Sequence, residues 1–222
     1  MKYPQAPWYL KGYAIQTVEL LDLERSRRFI PSDLEILSVW PGKTLGGIYI
    51  AAYQTGSVLE YNELIVIPGL VNYSGEWGAW ISHIYVDNTA SLTGGHEIWG
   101  LPKEIAKFNW QSNATDANAF CSVTVEKGDR TLCHLSYKQP NFLLPFSLSA
   151  PIFSALNSNF LLFKGEFSAR LGLIDSQIEI PTESPFASLN LGHPWLTVYC
   201  DDLRLVAGEP KIVGTRANAF SY

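Results

Sequence analysis

The residues with the clearest potential for chemistry lie at the end of a segment that runs from Val86 to Glu104. Asn88 is suited to cap a helix of one to two turns, and Pro102 then leads into a strand whose first residue is Lys103. The neighbouring side chains are apolar, and burial among them disfavours the charged form of an amine. A neutral lysine is a nucleophile, so this pattern predicts covalent chemistry at a carbonyl carbon. The same spacing also fits a lysine that begins a surface strand and extends into water.

The elements that must position this lysine are predominantly strands. A strand is predicted from Tyr13 to Leu20, and a helix from Leu21 to Ile30. Short strands bounded by Gly, Pro, Asn, Asp or Ser are predicted over Leu34–Val39, Gly46–Tyr53, Glu63–Leu70, Trp77–Val86, Ile105–Trp110, Ala119–Glu126, Thr131–Tyr137, Phe160–Leu171, Gln177–Ile180 and Trp195–Val206. Residues 127–129 and 164–166, both Lys-Gly-acidic, are predicted hairpin turns. We therefore expect a single antiparallel, barrel-like α+β domain over residues 1–222.

Composition argues against several classes of function. The chain has 222 residues, of which 47% are hydrophobic and 17% charged, and this balance indicates a globular domain with a sizeable core. A net charge of −5 argues against nucleic acid as a partner. Neither G-x-x-x-x-G-K-[ST] nor G-x-G-x-x-G occurs, so no nucleotide cofactor is expected. The three cysteines and four histidines lack metal-ligand spacing, and no metal site is expected either.

No segment of the sequence predicts association with a membrane. The longest apolar runs are much shorter than a membrane-spanning helix, and residues 1–7 lack the apolar stretch of a signal peptide. We therefore expect a cytoplasmic protein with no membrane partner.

Residues 94–103, G-G-H-E-I-W-G-L-P-K, resemble the signature of the acetoacetate decarboxylase family, which is G-G-R-E-x-W-G-x-P-K-K. The V-D-N at residues 86–88 and the E-x-x-x-I-P stretch at residues 63–68 stand in the order that the family shows, and residues 34–36 resemble its early P-x-x-L-E turn. The resemblance implies an α+β fold that is mainly antiparallel β, a cone-like β-barrel with a few short flanking helices around an apolar cavity. It also implies a homo-oligomer and chemistry that needs no cofactor.

The resemblance assigns roles to residues by position. Lys103 matches the family's Schiff-base lysine, and Glu63 matches a carboxylate placed for proton transfer in the same cavity. Further residues expected to contact the substrate are Trp99, His96, Glu97 and Leu101. From the residues alone, His96 is more simply a helix-end histidine bonded to the backbone. Trp99 is equally well explained as a core residue.

The sequence departs from the family pattern at charged positions. Glu104 stands where the family has a second lysine, and His96 stands where it has an arginine. Gly12 occupies the position of another expected cation, and the second cavity carboxylate, expected near Gly47 or Ile48, is missing. Because successive side chains of a strand face opposite sides, the pattern allows Glu104 to lie outside the cavity.

Two classes of function remain open. The first is a carbon–carbon lyase that forms a Schiff base at Lys103 with a β-keto acid or related ketone, followed by decarboxylation or an aldol or dehydration step through the same enamine. The second is a non-catalytic domain that binds an apolar ketone, a terpenoid-like molecule or a pigment in the same cavity. The missing cations predict weak binding of small anions, so the expected ligand is larger or more apolar than acetoacetate.

Overall fold

The computed structural model describes residues 3–112 and 120–216, and most of these residues lie in strands. The strands are β1 (Trp8–Asp22), β2 (Glu35–Ile36), β3 (Lys43–Tyr53), β4 (Tyr61–Ile67), β5 (Gly69–Tyr73), β6 (Glu76–Trp80), β7 (His83–Val86), β8 (Lys103–Ile105), β9 (Lys107–Ser112), β10 (Phe120–Lys127), β11 (Arg130–Lys138), β12 (Leu144–Leu156), β13 (Asn159–Leu173), β14 (Ser176–Glu179), β15 (Leu196–Ala207) and β16 (Lys211–Thr215). The helices are α1 (Leu23–Arg27), α2 (Thr89–Trp99) and a 3₁₀ turn (Ala187–Leu189). The α+β class is therefore confirmed.

The strands form two sheets. The large sheet has the order β2-β5-β6-β12-β13-β15-β1-β3-β4-β7-β8, with β16 beside β13, and the small sheet has the order β14-β11-β10-β9. The barrel-like sheet that the sequence predicts is not closed. Within the described residues its two end strands, β2 and β8, have only two and three residues and do not pair with each other.

Strand β3 separates two hydrophobic cores. Ile48 and Ile50 belong to a cluster that includes Val123 and Leu135 of the small sheet, so this core lies between the sheets. Tyr49, Ala51 and Tyr53 alternate with those isoleucines and belong to a second cluster, which also contains side chains of β13, β15 and α2. Because successive strand residues face opposite sides, the second core lies on the other face of the large sheet.

Helix α2 connects β7 to β8, which pair in parallel. The side chain of Asn88 accepts hydrogen bonds from the backbone N–H groups of Ala90 and Ser91, and this cap starts the helix as the sequence predicts. Gly100 ends it in the left-handed conformation (φ 60°). The helix has eleven residues rather than the expected one to two turns, and three connecting residues separate it from β8, which begins at Lys103.

Other boundaries differ from the sequence prediction for local reasons. Strand β1 continues to Asp22, so the predicted helix at residues 21–30 is reduced to α1, from Leu23 to Arg27. The turn at residues 127–129 is confirmed, whereas residues 164–166 lie inside β13, where Gly165 pairs with Ala150 on one side and Ala207 on the other. Strands β12 and β16 were not predicted, and Ala119 lies outside the described residues. None of the described helices has both the length and the apolar character that a membrane span requires.

Gly12 of β1 lies directly against the main chain of β3. A Cβ atom at Gly12 would lie 1.9 Å from the carbonyl oxygen of Ala52. We therefore expect Gly12→Ala to lower the free energy of unfolding by about 2–3 kcal/mol, because the strands must separate to accept the methyl group. The control is Gly128→Ala in the β10–β11 turn, where nothing lies within 4 Å of the added Cβ and only the left-handed backbone costs about 1 kcal/mol. If urea unfolding showed that the two variants lose the same free energy of unfolding, the close contact between Gly12 and the main chain of β3 would be contradicted.

Candidate functional site

A cavity of about 350 Å³ lies on the side of the large sheet that carries the second core. Its walls are mainly aliphatic and aromatic, and the polar side chains among them include Gln16, Tyr49, Tyr61, Glu63 and Lys103. Within the described residues, the wall contains no arginine or histidine, no lysine besides Lys103, and no carboxylate besides Glu63. The cavity thus combines an apolar wall with a single pair of opposite charges.

Lys103 and Glu63 form a buried ion pair. Lys103 Nζ lies 2.8 Å from Glu63 Oε1, and each residue is only 4% exposed. Nζ also donates a hydrogen bond to Ser91 Oγ at 3.0 Å. It lies 5.0 Å from the ring centroid of Tyr61 and 5.7 Å from that of Trp8, and both rings favour a cation. The amine is therefore held by one carboxylate, one hydroxyl and two aromatic rings.

Two tyrosines extend the hydrogen bonding from Glu63. Tyr53 donates from its hydroxyl to Glu63 Oε2 at 3.1 Å, and the hydroxyl of Tyr49 lies 3.2 Å from that of Tyr53. The two carboxylate oxygens of Glu63 thus have separate partners, Lys103 and Tyr53. Burial raises the pKa of both tyrosines well above the ordinary value. Their hydroxyl groups therefore keep their protons.

Helix α2 fixes the position of Lys103 from the other side. A Cβ at Gly95 would lie 2.5 Å from Lys103 Cδ, so only glycine leaves room for the lysine stem beside the helix. Ser91, one turn before Gly95, supplies the hydroxyl that accepts from Nζ. His96 Nε2 lies 2.7 Å from the carbonyl oxygen of Lys103, and since a carbonyl only accepts, the imidazole donates. His96 thus anchors the main chain of Lys103.

The structure brings together only part of the predicted site. Lys103, Glu63, Trp99 and Leu101 line the cavity. His96 and Glu97 do not line it, because they lie on the exposed side of α2; Glu97 accepts a hydrogen bond from the hydroxyl of Tyr3. The expectation that these two residues contact the substrate therefore needs correction, whereas the simpler interpretation of His96 as a backbone-bonding residue agrees with its position.

The departures from the family pattern have structural explanations. Glu104 pairs with Lys127 at the surface, away from the cavity. Gly12 and Gly47 leave no space for a side chain, since an added Cβ would lie 1.9 Å from the Ala52 carbonyl oxygen and 2.1 Å from the Thr17 carbonyl oxygen, respectively. Ile48 belongs to the core on the other face of β3. The cations and the second carboxylate that the family pattern would supply are therefore absent from the described part of the cavity wall.

Sequence reasoning missed five residues around the ion pair: Ser91, Tyr49, Tyr53, Tyr61 and Trp8. The alternation of Tyr49, Ala51 and Tyr53 on β3 was a usable signal, because it places both tyrosines on one face, and register pairs Ala51 with Glu63. Trp8 gave no such signal, because its place in the sheet is set by the pairing of β1 with the distant strand β15, where it lies opposite Ala207. No group of three or more potential metal ligands comes together in the described part of the chain.

Comparison with known proteins identifies the family. The model of the acetoacetate decarboxylase family matches residues 3–164, and the chain therefore belongs to that family. Among curated relatives, Protein NEOXANTHIN-DEFICIENT 1 of Solanum lycopersicum is 33% identical over 107 residues, which cover 48% of this chain and 36% of that protein. The protein of the same name from Oryza sativa is 28% identical over 132 residues, covering 60% and 42%. The chain thus spans less than half the length of these plant relatives.

Solved structures show the same fold. An acetoacetate decarboxylase from Legionella pneumophila superposes with a TM-score of 0.71 at 17% identity, over 97% of this chain and 90% of that one. The enduracididine biosynthesis enzyme MppR with bound HEPES superposes with a TM-score of 0.71 at 12% identity, over 99% and 91%. At such identities the likeness concerns the fold, which is shared between a decarboxylase and a biosynthetic enzyme.

The burial of the ion pair predicts how its removal changes the free energy of unfolding. Lys103→Met and Glu63→Leu each leave one buried polar partner without its counterpart, and we expect each to lower the free energy of unfolding by about 3–5 kcal/mol. The double variant Lys103→Met/Glu63→Leu replaces the pair by apolar groups of similar size. It should regain most of that loss, since such replacements are often neutral. Urea unfolding of the wild type, the two single variants and the double variant measures the coupling energy between Lys103 and Glu63. Strictly additive losses of unfolding free energy would contradict a direct ion pair.

Proposed function

We propose that this protein forms a Schiff base between Lys103 and the carbonyl carbon of an apolar ketone or β-keto compound. The observation that supports this most strongly is the position of Lys103, a buried amine at the wall of an apolar cavity and bonded to the carboxylate of Glu63 at 2.8 Å. A lysine nucleophile needs an apolar site and a nearby group that takes its proton. Both are present around Lys103.

In the proposed reaction, Glu63 first takes a proton from the Lys103 ammonium. The resulting amine adds to the carbonyl carbon, and a proton moves from its nitrogen to the new alkoxide oxygen to give the carbinolamine. Glu63 then returns its proton to the carbinolamine hydroxyl, which leaves as water. The product is an iminium cation whose counterion is the Glu63 carboxylate. Such an iminium withdraws electrons from a neighbouring C–C or C–H bond, which is the step that decarboxylation, aldol and dehydration reactions share. Carbon–carbon lyase activity is the form of this chemistry that family membership favours.

The charges of the cavity favour an apolar substrate. A small keto acid brings a carboxylate, and the only cation on the described wall, Lys103, is already paired with Glu63. An isolated carboxylate in an apolar cavity loses its hydration without compensation. A larger ketone gains affinity from the apolar wall instead, at about 25 cal/mol for each Å² buried. We therefore propose ketones with an extended apolar substituent as the substrate class.

A second candidate function is binding of an apolar ketone-type ligand without turnover. The observation that favours it is the resting hydrogen bonding of the amine, since Lys103 Nζ already bonds Glu63 and Ser91. If the proton stays on Lys103, the ammonium can donate its third hydrogen to a ligand carbonyl without forming a covalent bond. Reductive trapping distinguishes the two functions.

Incubation with 2-heptanone and sodium borohydride should reduce the iminium to a stable secondary amine on Lys103, because the cavity offers both the amine and an apolar binding site. Peptide mass analysis should place the added mass on Lys103 and leave the exposed Lys107 and Lys164 unmodified. Lys103→Met is the matched control and should show no adduct. Binding of 2-heptanone without any adduct on Lys103 would favour the non-covalent function.

Acetoacetate should be a poor substrate. We expect carbon dioxide release below the ordinary enzymatic range of about 1–10³ per second, because no free cation in the described wall pairs with the substrate carboxylate. In the same trapping assay, 2-heptanone should compete effectively with acetoacetate for Lys103. Rapid carbon dioxide release from acetoacetate would show that the ion pair itself opens to bind the carboxylate, and would overturn the assignment to apolar ketones.

A further inference from the structure

Three side-chain oxygens form a continuous chain that starts and ends at the cavity. Tyr49 and Glu63 both line the cavity, whereas Tyr53, which lies between them, does not. The distances are 3.2 Å from Tyr49 to Tyr53 and 3.1 Å from Tyr53 to Glu63 Oε2. The chain therefore connects two points of the wall through a hydroxyl behind it. The reaction as described so far uses only the other oxygen of Glu63, which faces Lys103.

The strand register places the two tyrosines on either side of Glu63. Ala51 of β3 lies opposite Glu63, whereas Tyr49 lies opposite Ile65 and Tyr53 lies opposite Tyr61. Four residues of a strand span about 13 Å, yet the two hydroxyl groups are only 3.2 Å apart, so the tyrosine side chains lean towards each other at the level of Glu63. The Tyr49 hydroxyl is therefore near the ion pair, where the α-carbon of a ketone joined to Lys103, two bonds from the nitrogen, would also lie.

The hydrogen bonds of the chain have a defined direction. Tyr53 has a single hydroxyl hydrogen and donates it to Glu63, so Tyr49 must be the donor to Tyr53. The lone pairs of the Tyr49 oxygen are then the group available to accept a hydrogen from the cavity. Burial raises the pKa of both tyrosines well above the ordinary value, so neither hydroxyl ionises, and a proton can pass through them only if each hydroxyl accepts one proton as it gives up another.

We infer that Tyr49 and Tyr53 relay a proton between the α-carbon of a ketone bound to Lys103 and the carboxylate of Glu63. This inference rests on the proposed Schiff-base function and adds two residues to it. In this relay the Tyr49 oxygen takes the proton from the reacting carbon, so Tyr49 is the catalytic residue, and Tyr53 is a positioning residue that links it to Glu63.

The step is balanced in atoms and charge. The α-carbon of the iminium gives its proton to the Tyr49 oxygen, and the electron pair of that C–H bond becomes the C=C bond of the enamine while the iminium nitrogen becomes neutral. At the same time the Tyr49 proton moves to Tyr53 and the Tyr53 proton moves to Glu63 Oε2. An iminium cation and a carboxylate are thereby converted to a neutral enamine and a carboxylic acid. The reverse step delivers a proton to the enamine carbon.

The relay predicts exchange of α-hydrogens, which requires no bond cleavage between carbons. Wild-type protein in D₂O should replace the α-hydrogens of 2-heptanone with deuterium, measured by proton NMR. Tyr49→Phe and Tyr53→Phe should each slow this exchange by about 10²-fold, the lower end of what general acid–base catalysis contributes. The ring of Tyr49 packs edge-on against Phe167 at 6.3 Å, so phenylalanine keeps that contact and loses only the hydroxyl.

Two comparisons separate the relay from a structural effect. The double variant Tyr49→Phe/Tyr53→Phe should be no slower than either single variant, because a chain interrupted once carries no proton. The matched control is Tyr85→Phe, since the buried hydroxyl of Tyr85 has no hydrogen-bond partner among the described residues and lies in the core between the sheets. The Tyr85→Phe variant should exchange the α-hydrogens of 2-heptanone at the wild-type rate.

Borohydride trapping at Lys103 is measured in parallel for every variant. Slow exchange with undiminished trapping in both tyrosine variants supports the relay. Exchange at the wild-type rate with trapping intact overturns the relay and leaves the Schiff-base function standing. If trapping falls as much as exchange, the tyrosines act by holding the amine site together, and the relay is likewise overturned. Absence of trapping in the wild-type protein overturns the proposed function and the relay together.

Discussion

The buried ion pair of Lys103 and Glu63 is the interaction on which the rest of the site depends. Two charges in an apolar cavity are stable only when their remaining hydrogen-bonding groups also have partners. Ser91, Tyr53 and the aromatic rings near Nζ supply those partners. The same pair that stabilises the resting protein also supplies the proposed reaction with both an amine and a group that takes its proton. The stability of the site and the proposed reactivity therefore rest on one pair of residues.

Strand pairing fixes the positions of both residues of this ion pair. Glu63 is fixed by the pairing of β4 with β3 and β7, and Lys103 is fixed by the parallel pairing of β8 with β7. Parallel pairing of β7 and β8 requires a crossover, and α2 is that crossover. The helix passes the lysine stem at Gly95 and holds its main chain through His96. A short segment of sequence thus carries the proposed nucleophile, the crossover that leads to it and the residues that hold it in place.

Because the elements around Lys103 follow one another in the sequence, the position of this lysine is predicted well from the sequence. The segment from Asn88 to Lys103 contains its own cap, helix end and strand start, so local patterns suffice to place the lysine. Glu63 was found through family resemblance rather than through spacing. Trp8 and Tyr53 became part of the site only through pairing between distant strands, which no local pattern encodes. The boundary errors have a similar origin: β13 runs through Gly165 because neighbouring strands pair with it on both sides, and pairing overrides the turn preference of Lys-Gly-Glu.

The close approach of β1 and β3 also restricts how the ligand preference of this protein can change. Because a Cβ at Gly12 would meet the carbonyl oxygen of Ala52, a guanidinium cannot be gained there by one substitution without moving two main chains. Gln16, four residues along β1, already lines the cavity with a full side chain. If the proposed preference for ketones holds, a cation that recognises keto acids could therefore be introduced at position 16 but not at position 12. The spacing between two backbones thus limits where the cavity wall can gain a charge.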